Sequence, residues 1–326
     1  RFATARGRRP GLPGAVWGCS MSNMEGVNFP VTGEGRRSTT VTSQRILTQA
    51  LSGIDPQGAA SARGEKVWRK HYPRHFRRLE ESGLKSADAA RSIAEDGLAA
   101  LYGEMVFVRR GQEVSIQEAM QGEPTSRFYA ATVKGVGDRQ SEGLEIPYAG
   151  QHLAGESLLR QIEDWESRGV MEPSCGAALR LVVANPEWLD LSDQTIVLLG
   201  AAAEMGPFKV LCRWRANIVA VDLDRASIWE DLIPIARAGN GTLTMPLRCP
   251  PPSTQDDAAL ASRAGANLIT QAPEIASWLR ELDGPLVIGG YAYLDGGGHV
   301  RVALAMDAIM RELSESRQDV TLALLP

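Results

Sequence analysis

The sequence predicts an α/β protein with a parallel, helix-covered sheet in its C-terminal half and a mainly helical N-terminal domain. After residue 188, five short apolar runs are typical of strands buried on both faces. Stretches with helical apolar spacing separate these runs. This alternation favours a parallel sheet, because parallel neighbours are joined by crossover connections that are usually helical. The length of 326 residues also favours more than one domain.

We expect three regions, which are a loosely attached or disordered lead (1–40), the helical domain (41–188) and the sheet domain (189–326). In the helical domain, apolar periodicity predicts helices at 43–52, 64–81, 86–102 and 152–168 and strands at 105–108 and 128–133. In the sheet domain, the strands are expected at 195–200, 217–222, 242–246, 286–290 and 320–325, with later helices near 228–238, 272–282 and 303–316. The chain stops just after the fifth of these strands, so we expect that further C-terminal sequence exists.

Charge is distributed unevenly along the chain. Residues 1–80 carry 14 Lys and Arg against 5 Asp and Glu, whereas the rest carries 21 against 34. The Arg-rich start without an apolar core suits an organelle transit segment better than a secretory signal, or else it is a plain disordered lead. Four dispersed cysteines favour a reducing, intracellular compartment, either cytoplasm or organelle. No run of about 18 apolar residues predicts a membrane span, so a soluble protein is expected.

The first strand of the sheet domain leads into a candidate phosphate-binding turn. Such a turn needs small residues where the backbone approaches the phosphate, followed by a helix N-terminus. The segment from Gly200 to Gly206 has this order, and its candidate cofactor-binding residues are Gly200, Ala201, Ala202, Glu204, Met205 and Gly206.

An acidic residue ends the second predicted strand at the spacing that dinucleotide sites use. Asp222 follows Gly200 by 22 residues, close to the usual interval of about 20. With Leu223 it is expected to hold the adenosine ribose and to favour NAD over NADP, although the nearby Arg225 leaves NADP open. The alternative is that Asp222 only caps the turn that follows.

The turn and this aspartate resemble the cofactor half of short-chain dehydrogenases, which have glycines at the first, fifth and seventh positions of the turn. Gly200 and Gly206 match the first and seventh, whereas Glu204 replaces the fifth. The resemblance covers roughly 130 residues and implies a Rossmann-type, NAD(P)-binding domain. It does not extend to the family's catalytic Tyr-x-x-x-Lys pair, because the last lysine of the chain is Lys209.

Candidate catalytic residues follow the fourth strand, at the sheet edge where ligands bind in α/β folds. They are Tyr291, Tyr293 and His299, and Gly289 and Gly290 before them are expected to contact the cofactor. The same segment could instead form a β-hairpin around residues 295–298.

The segment 63–78 alternates basic and aromatic residues. We interpret it as a helix that turns Trp68, Tyr72 and Phe76 inward, with nucleic-acid binding as a minor alternative. His71 and His75 have metal-ligand spacing but no evident third ligand, so no metal site is expected.

These observations favour an NAD(P)-dependent oxidoreductase of unknown substrate. The alternatives are an S-adenosylmethionine-dependent methyltransferase and a non-catalytic nucleotide sensor or scaffold.

Overall fold

The computed structural model describes residues 25–33, 35–137, 143–253 and 256–323. It is a mixed α/β structure with twelve helices and eleven strands in these ranges. The strands are β1 Gly26–Asn28, β2 Val106–Arg109, β3 Gln112–Ser115, β4 Tyr129–Lys134, β5 Glu145–Tyr148, β6 Gln151–Ala154, β7 Thr195–Leu199, β8 Asn217–Val221, β9 Thr242–Leu247, β10 Leu286–Gly290 and β11 Val320–Leu322. The helices are α1 Thr39–Ser52, α2 Pro56–Arg63, α3 Trp68–Gly83, α4 Ala87–Glu104, α5 Ile116–Gln121, α6 Gly155–Ser167, α7 Pro173–Ala184, α8 Phe208–Arg213, α9 Ala226–Ala238, α10 Asp257–Ala261, α11 Ala272–Arg280 and α12 Gly297–Ser316.

A six-stranded, mostly parallel sheet occupies the C-terminal half, as predicted. Its strand order is β11-β10-β7-β8-β9-β4, and the five strands after residue 188 are parallel to one another. The edge strand β4 comes from the N-terminal half and pairs antiparallel with β9.

The central strands are apolar throughout because both faces of the sheet are covered. In β7, Val197 and Leu199 belong to the core under α11 and α12, whereas Leu198 belongs to the core under α8 and α9. A strand buried on both sides has no solvated face, so it shows a continuous apolar run rather than alternation.

The N-terminal half also contributes to the core beneath α11 and α12. Strand β1 pairs antiparallel with β2, and Val27 and Phe29 are buried in this core together with Phe107. Residues 25–29 are therefore an exception to the loosely attached lead expected from composition, because their apolar side chains have a complete burial site. Residues 1–24, which contain the suggested transit segment, lie outside the described residues.

Two smaller units are inserted into this framework. Helices α1–α4 lie between β1 and β2 in the chain, and they have a small core of their own around Leu51 and Trp68. The hairpin β5–β6 with α6 and α7 lies between β4 and β7, and its core is formed around Leu158 and Ile162.

The predicted helix at 64–81 is wrong in two respects. Gly64 caps α2, and α3 begins at Trp68 and continues through Pro73. Tyr72 and Phe76 are 46% and 44% exposed, whereas His75 is buried and stacked on Trp68. With 3.6 residues per turn, positions four apart drift by about 40° at each step, so Tyr72 and Phe76 leave the face on which Trp68 lies.

The hairpin interpretation of the segment around residues 295–298 is also wrong. Helix α12 begins at Gly297, six residues before the predicted start. The last strand is described only as Val320–Leu322, and the end of its predicted range lies outside the described residues. None of the helices in the described ranges combines the length and the apolar character that crossing a bilayer requires.

Candidate functional site

A cleft of about 580 Å³ opens at the carboxyl ends of β7, β8 and β10. From β7, the chain order runs through β8 and β9 to one side and through β10 and β11 to the other. Successive crossovers therefore leave the sheet in opposite directions at β7 and β10, which is where open α/β sheets form a crevice for ligands. The cleft is lined by Gly200, Ala202, Ala203, Asp222, Leu223, Arg225, Ile228, Ala266, Asn267, Leu268, Ile269, Thr270, Ala292, Tyr293, Leu294, Arg301 and Val302.

Asp222, directly after β8, connects both walls of the cleft. One carboxylate oxygen accepts the N–H of Ala202 at 2.8 Å, and the other accepts the N–H of Leu223 at 2.8 Å. Its carbonyl oxygen accepts the N–H of Ala266, also at 2.8 Å. Asp222 therefore positions the turn after β7 and the segment 266–270, and its carboxylate is oriented before any ligand binds.

The turn after β7 uses most of its N–H groups within the protein. Gly200 and Ala201 donate to the carbonyl of Val221, and Ala202 donates to Asp222. Ala203 donates to Gly200, and Gly206 donates to Ala203. These donors are therefore not available to a phosphate without rearrangement of the turn.

The remaining residues predicted from the turn lie away from the cleft. Ala201 is buried beneath it, Glu204 is exposed and Met205 is 84% exposed. None of these three lines the cleft, and neither does Gly206. Glu204 therefore does not crowd the space that a ligand would fill.

The structure separates the three candidate catalytic residues. Tyr293 lines the cleft and its side chain is 61% exposed. Tyr291 is absent from the lining and packs against the core under α8 and α9, where burial raises its pKa above the ordinary value. His299 is exposed in the first turn of α12 and does not line the cleft.

The two glycines at the end of β10 have a packing role in the structure. A Cβ at Gly289 would lie within 2.6 Å of the Tyr291 ring, and one at Gly290 would lie within 3.2 Å of Met306 and Met310. Neither glycine lines the cleft. The close approach of these side chains explains small residues at both positions without a ligand contact.

Two parts of the cleft were missed by the sequence analysis. The segment 266–270 is closed by Asn267, whose side-chain oxygen accepts the N–H groups of Ile269 and Thr270. Its only sequence signal is the small-residue run at 264–266, in which Gly265 has a φ of +114° and packs against Asp224. Arg301 also lines the cleft, and nothing in its local sequence distinguishes it from other helical arginines.

Outside the cleft, the histidine pair of α3 has a carboxylate partner. Glu65 lies 3.1 Å from the Nδ1 of His71 and 3.4 Å from the Nε2 of His75, and it also pairs with Arg74. The pKa of Glu65 is lowered to about 2, mainly because its carboxylate accepts a hydrogen bond from the N–H of Val67. Within the described ranges, no group of three or more His, Cys, Asp or Glu residues has an arrangement that could hold a metal ion.

The buried thiol of Cys212 is not activated. Cys212 lies on the buried face of α8, and burial raises its pKa to about 12. A thiol with a raised pKa is a poor nucleophile, because the reactive form is the thiolate.

No protein-family model matches the chain, and no curated protein or solved structure is significantly similar to it. The geometry of the cleft is therefore the basis for assigning a function to this chain.

Proposed function

We propose that the cleft binds an adenosine-containing cofactor and that the protein is an NAD(P)-dependent oxidoreductase with a Rossmann-type domain, NAD being preferred. The observation that carries this proposal is the placement of Asp222. A carboxylate at the end of the second parallel strand, beside a switch point between β7 and β10, is where such folds bind the adenosine ribose.

The surroundings of Asp222 suit a ribose diol. Within the described residues, its carboxylate accepts only two backbone N–H groups and has no Lys or Arg partner. A carboxylate has about four lone-pair sites, so two remain for the hydroxyl groups of a ribose. Its charge would repel a 2′-phosphate, whereas the exposed Arg225 on the same cleft keeps NADP as the weaker alternative.

The other walls suit an aromatic base and a proton transfer. Leu223 and Ile228 provide apolar surface beside Asp222, where an adenine ring would pack. A bound nicotinamide would supply hydride chemistry. The Tyr293 hydroxyl is the phenol on the cleft, and we assign to it the proton that accompanies hydride transfer.

One observation favours a methyltransferase as the second candidate. Most of the turn's N–H groups, which a pyrophosphate would need, already donate to Val221, Asp222 and the turn itself. S-adenosylmethionine has the same ribose diol but no phosphate, so it would not need these donors.

Binding measurements with an Asp222→Asn variant test the proposal. Isothermal titration calorimetry of the wild-type protein with NAD, NADP and S-adenosylmethionine should show the tightest binding for NAD. Asp222→Asn should weaken this binding by roughly tenfold or more, since it replaces charge-assisted hydrogen bonds to the ribose. Asp224→Asn is the matched control, because Asp224 pairs with Arg248 at 3.4 Å and does not line the cleft.

The outcomes separate the candidate functions. Tight binding of S-adenosylmethionine alone would replace the oxidoreductase by the methyltransferase. A wild-type protein that binds none of the three ligands would refute the cofactor proposal and favour a non-catalytic role.

A further inference from the structure

Arg301 is a half-buried cation on the wall of the cleft. It lies in the second turn of α12 and donates from Nε to the carbonyl of Val27 at 2.6 Å. Its Nη2 donates to the carbonyl of Glu25 at 2.9 Å. A guanidinium group has five N–H donors. In the described part of the chain, those on Nη1 of Arg301 have no acceptor.

The charge of Arg301 is not balanced by a carboxylate. Both of its acceptors are backbone carbonyls, and no acidic side chain among the described residues pairs with it. The guanidinium of Arg37, which itself pairs with Glu113 at 2.7 Å, acts on Arg301 as a like charge. Burial and this like charge lower the pKa of Arg301. An uncompensated cation in a partly apolar site costs free energy that a bound anion would recover.

We propose that Arg301 binds the anionic group of the ligand whose adenosine is held by Asp222. This inference rests on the proposed function for the adenosine part. Asp222 and Arg301 both line the cleft, and the apolar residues Leu268, Leu294 and Val302 line it as well. A ligand with a hydroxylated sugar at one end and a negative charge elsewhere matches this distribution of polar groups.

Arg301 also supplies what the turn after β7 does not offer. In the usual phosphate site the backbone N–H groups of the turn bind the anion, but here most of them are occupied by the protein's own acceptors. A guanidinium side chain binds phosphate or carboxylate with charge-assisted hydrogen bonds. The same residue would therefore bind the pyrophosphate of a dinucleotide or the carboxylate of S-adenosylmethionine.

Two pairs of ligands isolate this contribution. ADP-ribose carries the pyrophosphate that adenosine lacks, and S-adenosylhomocysteine carries the carboxylate that 5′-methylthioadenosine lacks. For wild-type protein, calorimetry should show that the member of one pair that carries the anionic group binds at least roughly tenfold more tightly than the uncharged member. The pair that shows this advantage identifies the source of the anion.

Variants of Arg301 then test the assignment. In Arg301→Gln this advantage should fall to about twofold or less, while the uncharged member binds as it does to wild type. Arg301→Lys keeps the charge and should retain part of the advantage, which guards against a Gln variant that does not fold. Arg311→Gln is the matched control, because Arg311 lies on the same helix, pairs with Glu315 at 2.8 Å and does not line the cleft.

The failure of this inference is distinguishable from failure of the proposed function. If adenosine binds and the anionic advantage persists in Arg301→Gln, the Arg301 assignment is overturned and the adenosine site stands. If adenosine does not bind to wild type, the adenosine site fails, and calorimetry with inorganic pyrophosphate alone decides on Arg301. Pyrophosphate binding that is lost in Arg301→Gln would then support the anion site, and no pyrophosphate binding would overturn it.

Discussion

Asp55 connects two helices through one carboxylate. It accepts the N–H of Gly58 at 3.0 Å as the N-cap of α2, and it pairs with Arg78 of α3, whose Nη2 lies at 2.8 Å. The pKa of Asp55 is lowered to about 2, mainly because its carboxylate accepts hydrogen bonds from the Arg78 guanidinium. Because the folded-state pKa lies below the unfolded value, the charged form stabilises the fold above about pH 4.

This linkage predicts a pH dependence for Asp55→Asn. The loss of stability caused by the substitution should be complete at pH 6 and should shrink as the pH falls from about 4 towards 2, where Asp55 itself becomes protonated. Urea unfolding of both proteins at several pH values measures this difference. Asp88→Asn, at an exposed position in the first turn of α4, is the control. A difference that is constant across the range would contradict the prediction.

At the residue scale, the sequence identified some residues of the cleft, Asp222 among them, but not Arg301. Asp222 was found because a strand end and a spacing are both local properties. The outward position of Glu204 depends on how hydrogen bonds among Gly200, Ala203 and Gly206 close the turn, which the residue pattern does not specify. Arg301 could not be found, because its acceptors lie 274 and 276 positions away in the chain.

At the element scale, the junction of β7 and β10 depends on Gly200. The N–H groups of Tyr291 and Ala292 donate to the carbonyl of Leu199, so the segment after β10 runs directly against the end of β7. Gly200 has a φ of +94°, and a Cβ there would lie 2.4 Å from the nitrogen of Ala292. A side chain at this position would be strained and would also collide with backbone.

We therefore expect Gly200→Ala to reduce the free energy of unfolding by about 3 kcal/mol. Gly206→Ala, in the same turn, should cost about 1 kcal/mol or less, since Gly206 has no positive φ and its nearest contact would be 3.0 Å from a carbonyl oxygen. Chemical denaturation of both variants makes the comparison. Equal losses of unfolding free energy in the two variants would show that the close approach of β7 and the segment after β10 does not determine the cost of Gly200→Ala.

Elements with a strong local apolar pattern were predictable, whereas elements defined by distant partners were not. The runs that became β7, β8, β9 and β10 are apolar because both faces are covered, so the sequence shows them directly. Strand β1 has only three residues, Gly26–Asn28, and exists because it pairs with β2 across the whole of α1–α4. No local pattern reports such pairing.

At the scale of the whole molecule, segments from both sides of residue 188 build the same core. Strand β4 extends the main sheet at β9, and Phe107 and Ile116 are buried with α11 and α12. Polar contacts also join the segments before and after residue 188. The buried Glu274 of α11 pairs with Arg109 at 2.8 Å and accepts from the hydroxyl of Thr125 at 2.8 Å, and Tyr102 donates to Asp307 at 2.7 Å.

We expect the fragment 189–326, expressed alone, not to fold cooperatively. This fragment retains the five parallel strands and the Gly200 turn, but it loses β4 and the apolar cover provided by β1, β2 and α5. The exposed edge of β9 and the uncovered faces of α11 and α12 should make it aggregate or unfold without a cooperative transition. Circular dichroism during urea unfolding and size-exclusion chromatography measure this. Co-expression with the fragment 25–188 should restore a cooperative transition, because it returns the missing strand and core residues. A fragment 189–326 that unfolds cooperatively by itself would show that the C-terminal half is an independent domain and that these contacts only join two preformed units.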